Sequence, residues 1–141
     1  MPLDIVDLRS FYDSALGQVA SRFIGRAIRA RFASSIGQSI MGVGYATAYL
    51  DLFRGEALRV LAFMPAAQGV VNWPASGLSA SALVEPAMMP LPDSCIDRVV
   101  VVHALEIVEH PRDLLDEIWR ILTPGGRMIA VVPRRAGLDL Y

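Results

Sequence analysis

Residues of types that do chemistry fall in three places along the chain. Gly42 and Gly44 sit in "QSIMGVGYATAYL" (38–50), between an apolar run and a helix-like segment. Without Cβ atoms they let backbone approach a ligand, and the N–H groups at a helix start suit an anionic or polar group. A plain tight turn uses the same two residues. Glu85 follows the short run "SALV"; taken alone it reads equally as a solvated loop acid. His103 ends the run "RVVVVH", with Glu106, Glu109 and His110 behind it. His103 there is a general base or a histidine satisfied by backbone, and the second reading is favoured. Glu106, Glu109 and His110 read as the approach to a helix rather than as a catalytic set. Cys95 is the one cysteine. It permits no intrachain disulfide and reads as a small, half-buried residue. No set of His, Cys, Asp and Glu has metal-ligand spacing.

The elements that must position these residues follow from periodicity and turn chemistry. "DSALGQVASRFIGRAIRARF" is an amphipathic helix, capped by Asp13 or Ser14. Leu16, Val19, Ala20, Phe23, Ala27 and Ile28 form its expected buried stripe. Arg22, Arg26 and Arg29 lie mostly on the other side and read as a solvated face, with an anionic-substrate or RNA patch as the alternative. Gly37 is the expected helix stop. Ile40 and Met41 begin a strand into Gly42, and "TAYLDLFRG" is helical. "RVLAFM" (59–64) and "SALV" (81–84) are strands, separated by a loop rich in Pro, Gly and Ser that holds Trp73. Four consecutive valines make "RVVVVH" (98–103) a strand buried on both faces. "PRDLLDEIWRIL" is a helix opened by Pro111, with Leu114, Leu115, Ile118, Trp119 and Leu122 on its apolar face. "TPGG" is a turn and "RMIAVV" (127–132) a fifth strand. This alternation predicts an α/β fold: a Rossmann-like, open, mostly parallel sheet with helices on both faces. Ligands of such sheets lie at the carboxyl ends of the strands, near the switch point.

The 141 residues suffice for one domain with a real core. The chain is 54% hydrophobic and 19% charged, with a mean hydropathy of +0.44, which suits elements buried on both faces. The net charge of −1 gives no support for a nucleic-acid partner. The N-terminus is not a signal peptide, and no apolar run approaches the ~20 residues of a membrane span. A cytoplasmic protein without a membrane partner is the expectation.

A nicotinamide dinucleotide site would place a third glycine at Thr47 and an acid near Phe63 and Met64. Neither is present. The stretch "EPAMMPLPDSCIDRVVVVHALEIVEHPRDLLDEIWRILTPGGRMIAVVP" instead resembles the class I S-adenosylmethionine-dependent methyltransferases, in particular the type 11 methyltransferase domains. "PLPD" with Asp97, "LEIVEHP" and "LTPGG" carry the resemblance, which runs from Ile36 to Pro133.

The resemblance implies S-adenosyl-L-methionine as cofactor. It places Gly42 and Gly44 against the methionine part of the cofactor, with Ala46 in place of a third glycine. Met64 stands where an acid binds the ribose hydroxyls, and Ile40 where a second acid often lies. Glu85 would accept from the adenine amino group. Val102, His103 and Ala104 would line the pocket near the sulfonium, with Met88 as a further lining residue. A missing ribose carboxylate forfeits charge-assisted hydrogen bonds of about 1.5–3 kcal/mol each; Tyr45 and Gln68 are the candidate substitutes. The candidate cofactor-binding residues are therefore Gly42, Gly44, Tyr45, Met64, Glu85, Met88 and His103, with no catalytic residue assigned.

On the same resemblance, residues 1–35 are an N-terminal helical segment and 36–141 a partial methyltransferase domain that stops after the fifth strand. "RMIAVV" would then be a bare edge, prone to self-association. The expected function is methyl transfer to a small-molecule acceptor. The alternative is a non-catalytic, methyltransferase-like interaction module or inactive fragment.

Overall fold

A computed structural model of the chain describes residues 10–65, 81–84, 88–106, 108–134 and 137–140. Six strands form one sheet: β1 (Ser39–Gly44), β2 (Arg59–Pro65), β3 (Ser81–Val84), β4 (Ile96–Val102), β5 (Leu122–Arg134) and β6 (Gly137–Leu140). Its order is β3-β2-β1-β4-β5-β6. Strands β1 to β5 pair in parallel, and β6 runs antiparallel to β5. The helices are α1 (Ala15–Arg31), α2 (Thr47–Leu50) and α3 (Pro111–Ile121).

Period-two alternation divides the central strands between two cores. Ile40, Ala62, Val100, Val102, Ile129 and Val131 face α1 and α2. Met41, Val43, Phe63, Val99, Val101 and Ala130 face α3. Helices thus cover both faces, as the valine run of β4 requires. Among the described residues no helix is long and apolar enough to cross a membrane.

The Ser14 hydroxyl caps α1, accepting from the Gly17 N–H at 3.0 Å. The helix ends at Arg31, well before Gly37, whose positive φ of 74° serves the turn into β1 instead. Its buried face also differs from the expected stripe. Gly17, Ile24, Gly25 and Ile28 are buried, whereas Leu16, Val19 and Phe23 are 71%, 58% and 75% exposed. Gly17 faces the backbone of Phe11 and Tyr12, where a Cβ would collide, and Gly25 lies against Leu52 and Tyr49, so the other apolar stripe turns outward. On α3 the same thing happens: Leu114, Ile118 and Ile121 are buried, and Trp119 is 81% exposed. The segment after α2 is likewise shorter in helix than expected, continuing as turns through residue 56.

The amino ends of the strands are tied by Asp97. Its carboxylate accepts from the Ser39 N–H at 2.8 Å and from the Thr123 hydroxyl at 3.1 Å, joining β1, β4 and β5. The "TPGG" turn is an excursion inside β5: pairing steps from Ile96↔Leu122 to Arg98↔Arg127, and Gly125 takes φ +82°. The far end of β5 is not the bare edge expected. Val131 to Arg134 pair with Leu140 to Gly137, because the chain reverses straight after β5 and β6 takes up its free hydrogen-bonding groups there.

Beyond α1, Glu56 holds the approach to β1. Its Oε1 lies 2.6 Å from Arg29 Nη1 and accepts from the buried Ser35 hydroxyl at 2.6 Å. The Arg29 hydrogen bond, then that of Ser35, lowers the carboxyl from its ordinary 4.5 to about 2. A depressed carboxyl contributes fully above its ordinary value, and the contribution is lost as pH falls through the folded one. The difference in urea midpoint between wild type and Glu56→Gln should therefore be constant from pH 7 to about 4.5 and shrink toward zero near pH 2.

Candidate active site

The switch point of the sheet lies between β1 and β4. The chain moves from β1 outward through β2 and β3, then returns to place β4 on the other side of β1. Open α/β sheets bind ligands in the crevice at the carboxyl ends of such a strand pair. Here that crevice is bounded by Gly44 and by Val102, which are partners in register.

Both strands turn sharply as they leave the sheet. Gly44 has φ +84°, and a Cβ there would collide with the Val102 carbonyl oxygen and stand 2.9 Å from Ala104 Cβ. That close approach lets the Tyr45 N–H donate to the same carbonyl at 2.8 Å. Gly42 serves a different need. A Cβ on it would meet Ala46 Cβ at 2.6 Å and Leu50 Cδ1 at 2.7 Å, so the missing side chain lets α2 settle on β1. The replacement of a third glycine by Ala46 therefore fits an Ala–Gly contact between helix and strand.

His103 follows β4 in the left-handed region, φ +53°, which costs a non-glycine residue about 1–2 kcal/mol. Four contacts hold it there. Its N–H donates to the Val131 carbonyl at 3.1 Å. Its Nε2 lies 2.9 Å from the Tyr12 hydroxyl, its Nδ1 lies 3.3 Å from Glu106 Oε1, and its ring packs on Tyr12 edge-on at 5.9 Å. The network orders the protons. The Tyr49 hydroxyl donates to the Tyr12 oxygen at 2.8 Å, which leaves the Tyr12 proton for His103 Nε2. With that donation the ring N–H is on Nδ1, on the side of Glu106; in the other tautomer Nε2–H donates to Tyr12. Burial, reinforced by Tyr49, pushes the Tyr12 phenol far above its ordinary range; burial also raises that of Tyr49. Both hydroxyls stay protonated as donors.

Tyr12 is the hub of this cluster. It stacks on Tyr45 at 5.2 Å and 17°, and meets Tyr49 edge-on at 6.1 Å. The structure thus brings Gly42, Gly44, Tyr45 and His103 together. Met64 lies in β2 beside β1, next to Phe63, the partner of Val43; its side chain is outside what is described. Glu85, Gln68 and Trp73 lie outside the described residues. Met88 is exposed, and none of the described contacts joins it to the cluster. Glu106 comes to His103 rather than only preceding a helix. The His103 ring lies 2.9 Å from the Tyr12 phenol through Nε2 and 3.3 Å from the Glu106 carboxylate through Nδ1. His110 is the N-cap residue of α3, and its Nε2 stands 3.9 Å from Glu109 on the surface, away from the core. Asp97 is at the opposite end of the strands. Asp93 of "PLPD" pairs with Arg120 at 2.7 Å, and Arg120 also binds Glu117 and the Met89 and Leu91 carbonyls, so α3 holds that loop. Cys95 is half-buried, and burial raises its thiol.

Sequence reasoning missed Tyr12 and Tyr49. The Tyr12–His103 contact joins residues 91 apart, and no local spacing signals it.

The fold and this crevice define an α/β protein of methyltransferase type. A family model described as "Methyltransferase domain" matches residues 40–130, and the chain belongs to that family. Solved structures share the fold. The chain is similar to the [4+2]-cyclase SpnF, at 24% identity and a TM-score of 0.67, over 89% of this chain and 50% of that one. An S-adenosylmethionine-dependent methyltransferase from Mesorhizobium loti matches at 21% identity and TM-score 0.59, over 77% and 52%. One from Aquifex aeolicus matches at 17% and 0.68, over 94% and 74%. The chain spans about half the length of the first two. No curated protein matches it.

Two substitutions test the site's construction. Gly44→Ala should cost about 3 kcal/mol in urea unfolding, from strain at positive φ plus the collision with Val102. Tyr12→Phe keeps the ring but removes the hydroxyl between His103 and Tyr49; a loss of about 1–3 kcal/mol should follow, because two buried polar groups lose their partner. A Tyr12→Phe protein as stable as wild type would show that the hydroxyl holds nothing.

Proposed function

We propose that the crevice at Gly44 and His103 binds S-adenosyl-L-methionine and that the protein transfers its methyl group to a small-molecule acceptor. Membership of the methyltransferase family, with two left-handed residues side by side at the switch point, carries this reading. The described side chains fit the cofactor. Tyr12, Tyr45, His103 and Glu106 are aromatic or acidic, a set that suits a cationic sulfonium and offers the two phosphates of a dinucleotide no positive partner. When bound, the cofactor supplies an electrophilic methyl group. In this reading the chain's own residues position and exclude water: Gly44 brings β1 and β4 close, and the buried Tyr12, Tyr45 and His103 support the strand ends beneath the cofactor. Methyl transfer needs chiefly such positioning. Glu85 for the adenine, and Met64 and Met88 along the pocket, complete the proposed set.

Calorimetric titration with S-adenosylhomocysteine, with NADH as control, tests the reading. Saturable binding of the first alone is expected, weakened at least tenfold by Glu85→Ala. Binding of neither by a folded sample would favour the alternative, a non-catalytic interaction module.

A further inference from the structure

Helix α1 presents two features that the methyltransferase reading does not use. Leu16, Val19 and Phe23 lie at i, i+3 and i+7, so they form one ridge on the outer side of the helix. Among the described residues nothing covers the ridge. Beside it run basic residues: α1 contains Arg22, Arg26, Arg29 and Arg31 and no acid. Arg29 is taken up by Glu56, and Arg31 donates to the Ala27 carbonyl. Among the described residues no carboxylate pairs with Arg22 or Arg26. These two arginines, one turn apart, both line two shallow hollows. One, of about 350 Å³, is closed by Ser21, Gly25, Tyr49 and Leu52; the other, of about 320 Å³, by Val19 and Phe23.

We propose that α1 docks the protein on an anionic phospholipid surface. Leu16, Val19 and Phe23 enter the acyl boundary, while Arg22 and Arg26 hold headgroup phosphates in the hollows beside them. Charge complementarity selects this occupant: hydrocarbon adjoining an unpaired cation calls for hydrocarbon adjoining an anion, the chemistry of an anionic monolayer. Shape agrees, since a ridge sinks into a soft interface, whereas a protein partner would have to supply a groove. The inner face of α1 stays packed through Ile24 and Ile28, so docking requires no unfolding. This contact lies along the membrane surface and needs no spanning helix, of which there is none among the described residues.

Co-sedimentation of the full chain with vesicles of phosphatidylglycerol and phosphatidylcholine, against pure phosphatidylcholine, tests the proposal without reference to cofactor binding. Binding only to the anionic vesicles is expected. The double variant Arg22→Gln/Arg26→Gln should bind roughly thirty-fold more weakly, the effect of two charges at about 1 kcal/mol each. Phe23→Ser should weaken binding at least tenfold, and Arg112→Gln on α3 should leave it unchanged; circular dichroism checks that all three stay folded. Equal binding to neutral vesicles, no binding to anionic ones, or variants that bind as wild type would overturn it. So would a dimer that Phe23→Ser dissolves and that ignores vesicles, which would assign the ridge to a second copy of the chain.

Discussion

The close approach of β1 to β4 at their carboxyl ends is the constraint on which the site depends. One carbonyl, that of Val102, faces Gly44 and accepts from Tyr45. That bond carries β1 one residue past its last pair and forces the left-handed turn that releases α2. On the other side of β4 the His103 N–H is held by β5. The exit of β4 is thus pinned between both neighbours, and His103 adopts a conformation it would not choose alone. Parallel pairing aligns the ends of β1 and β4 at one level, so both strands deliver their following segments to the same edge of the sheet.

The helical turn at residues 10–13 packs against these strand ends through Tyr12. A phenol is well suited to the place. Its ring stacks on Tyr45 in an apolar core, and its hydroxyl both accepts from Tyr49 and donates to His103. The line of hydroxyls from Tyr49 through Tyr12 to His103 satisfies buried polar groups of three separate segments, which fixes them relative to one another. Farther along, Phe32 at the end of α1 lies between the guanidinium groups of Arg98 and Arg127, with their carbons 5.5 and 5.8 Å from its centroid. The N-terminal helix is therefore joined to β4 and β5 at both its ends.

Much of the framework was legible in the residues. The valines of β4, the Ser14 cap, Pro111 at the head of α3 and the "TPGG" turn act over a few positions, and each appears where its local chemistry puts it. The alternation of strand and helix carried the sheet, and the motifs near its later strands carried the family. Less legible was which apolar face of α1 turns inward. Two adjacent stripes compete there, and the one that turns inward carries Gly17, which lies against the backbone of Phe11 and Tyr12 with no room for a Cβ. Trp119 was misplaced in the same way: it sits at helical spacing from Leu115, but α3 rests on Leu114, Ile118 and Ile121.

Local order, then, was set by the sequence itself: elements, caps, turns, the two-sided burial of the sheet and the glycine turn at its centre. These depend on interactions within a turn or two of chain. Tertiary structure alone decided that Tyr12 would meet His103, that Glu106 would join them, and that Asp97 would tie the strand ends. Such contacts span tens of residues. They exist only once parallel pairing has fixed which strand ends lie side by side, and no local rule contains that information.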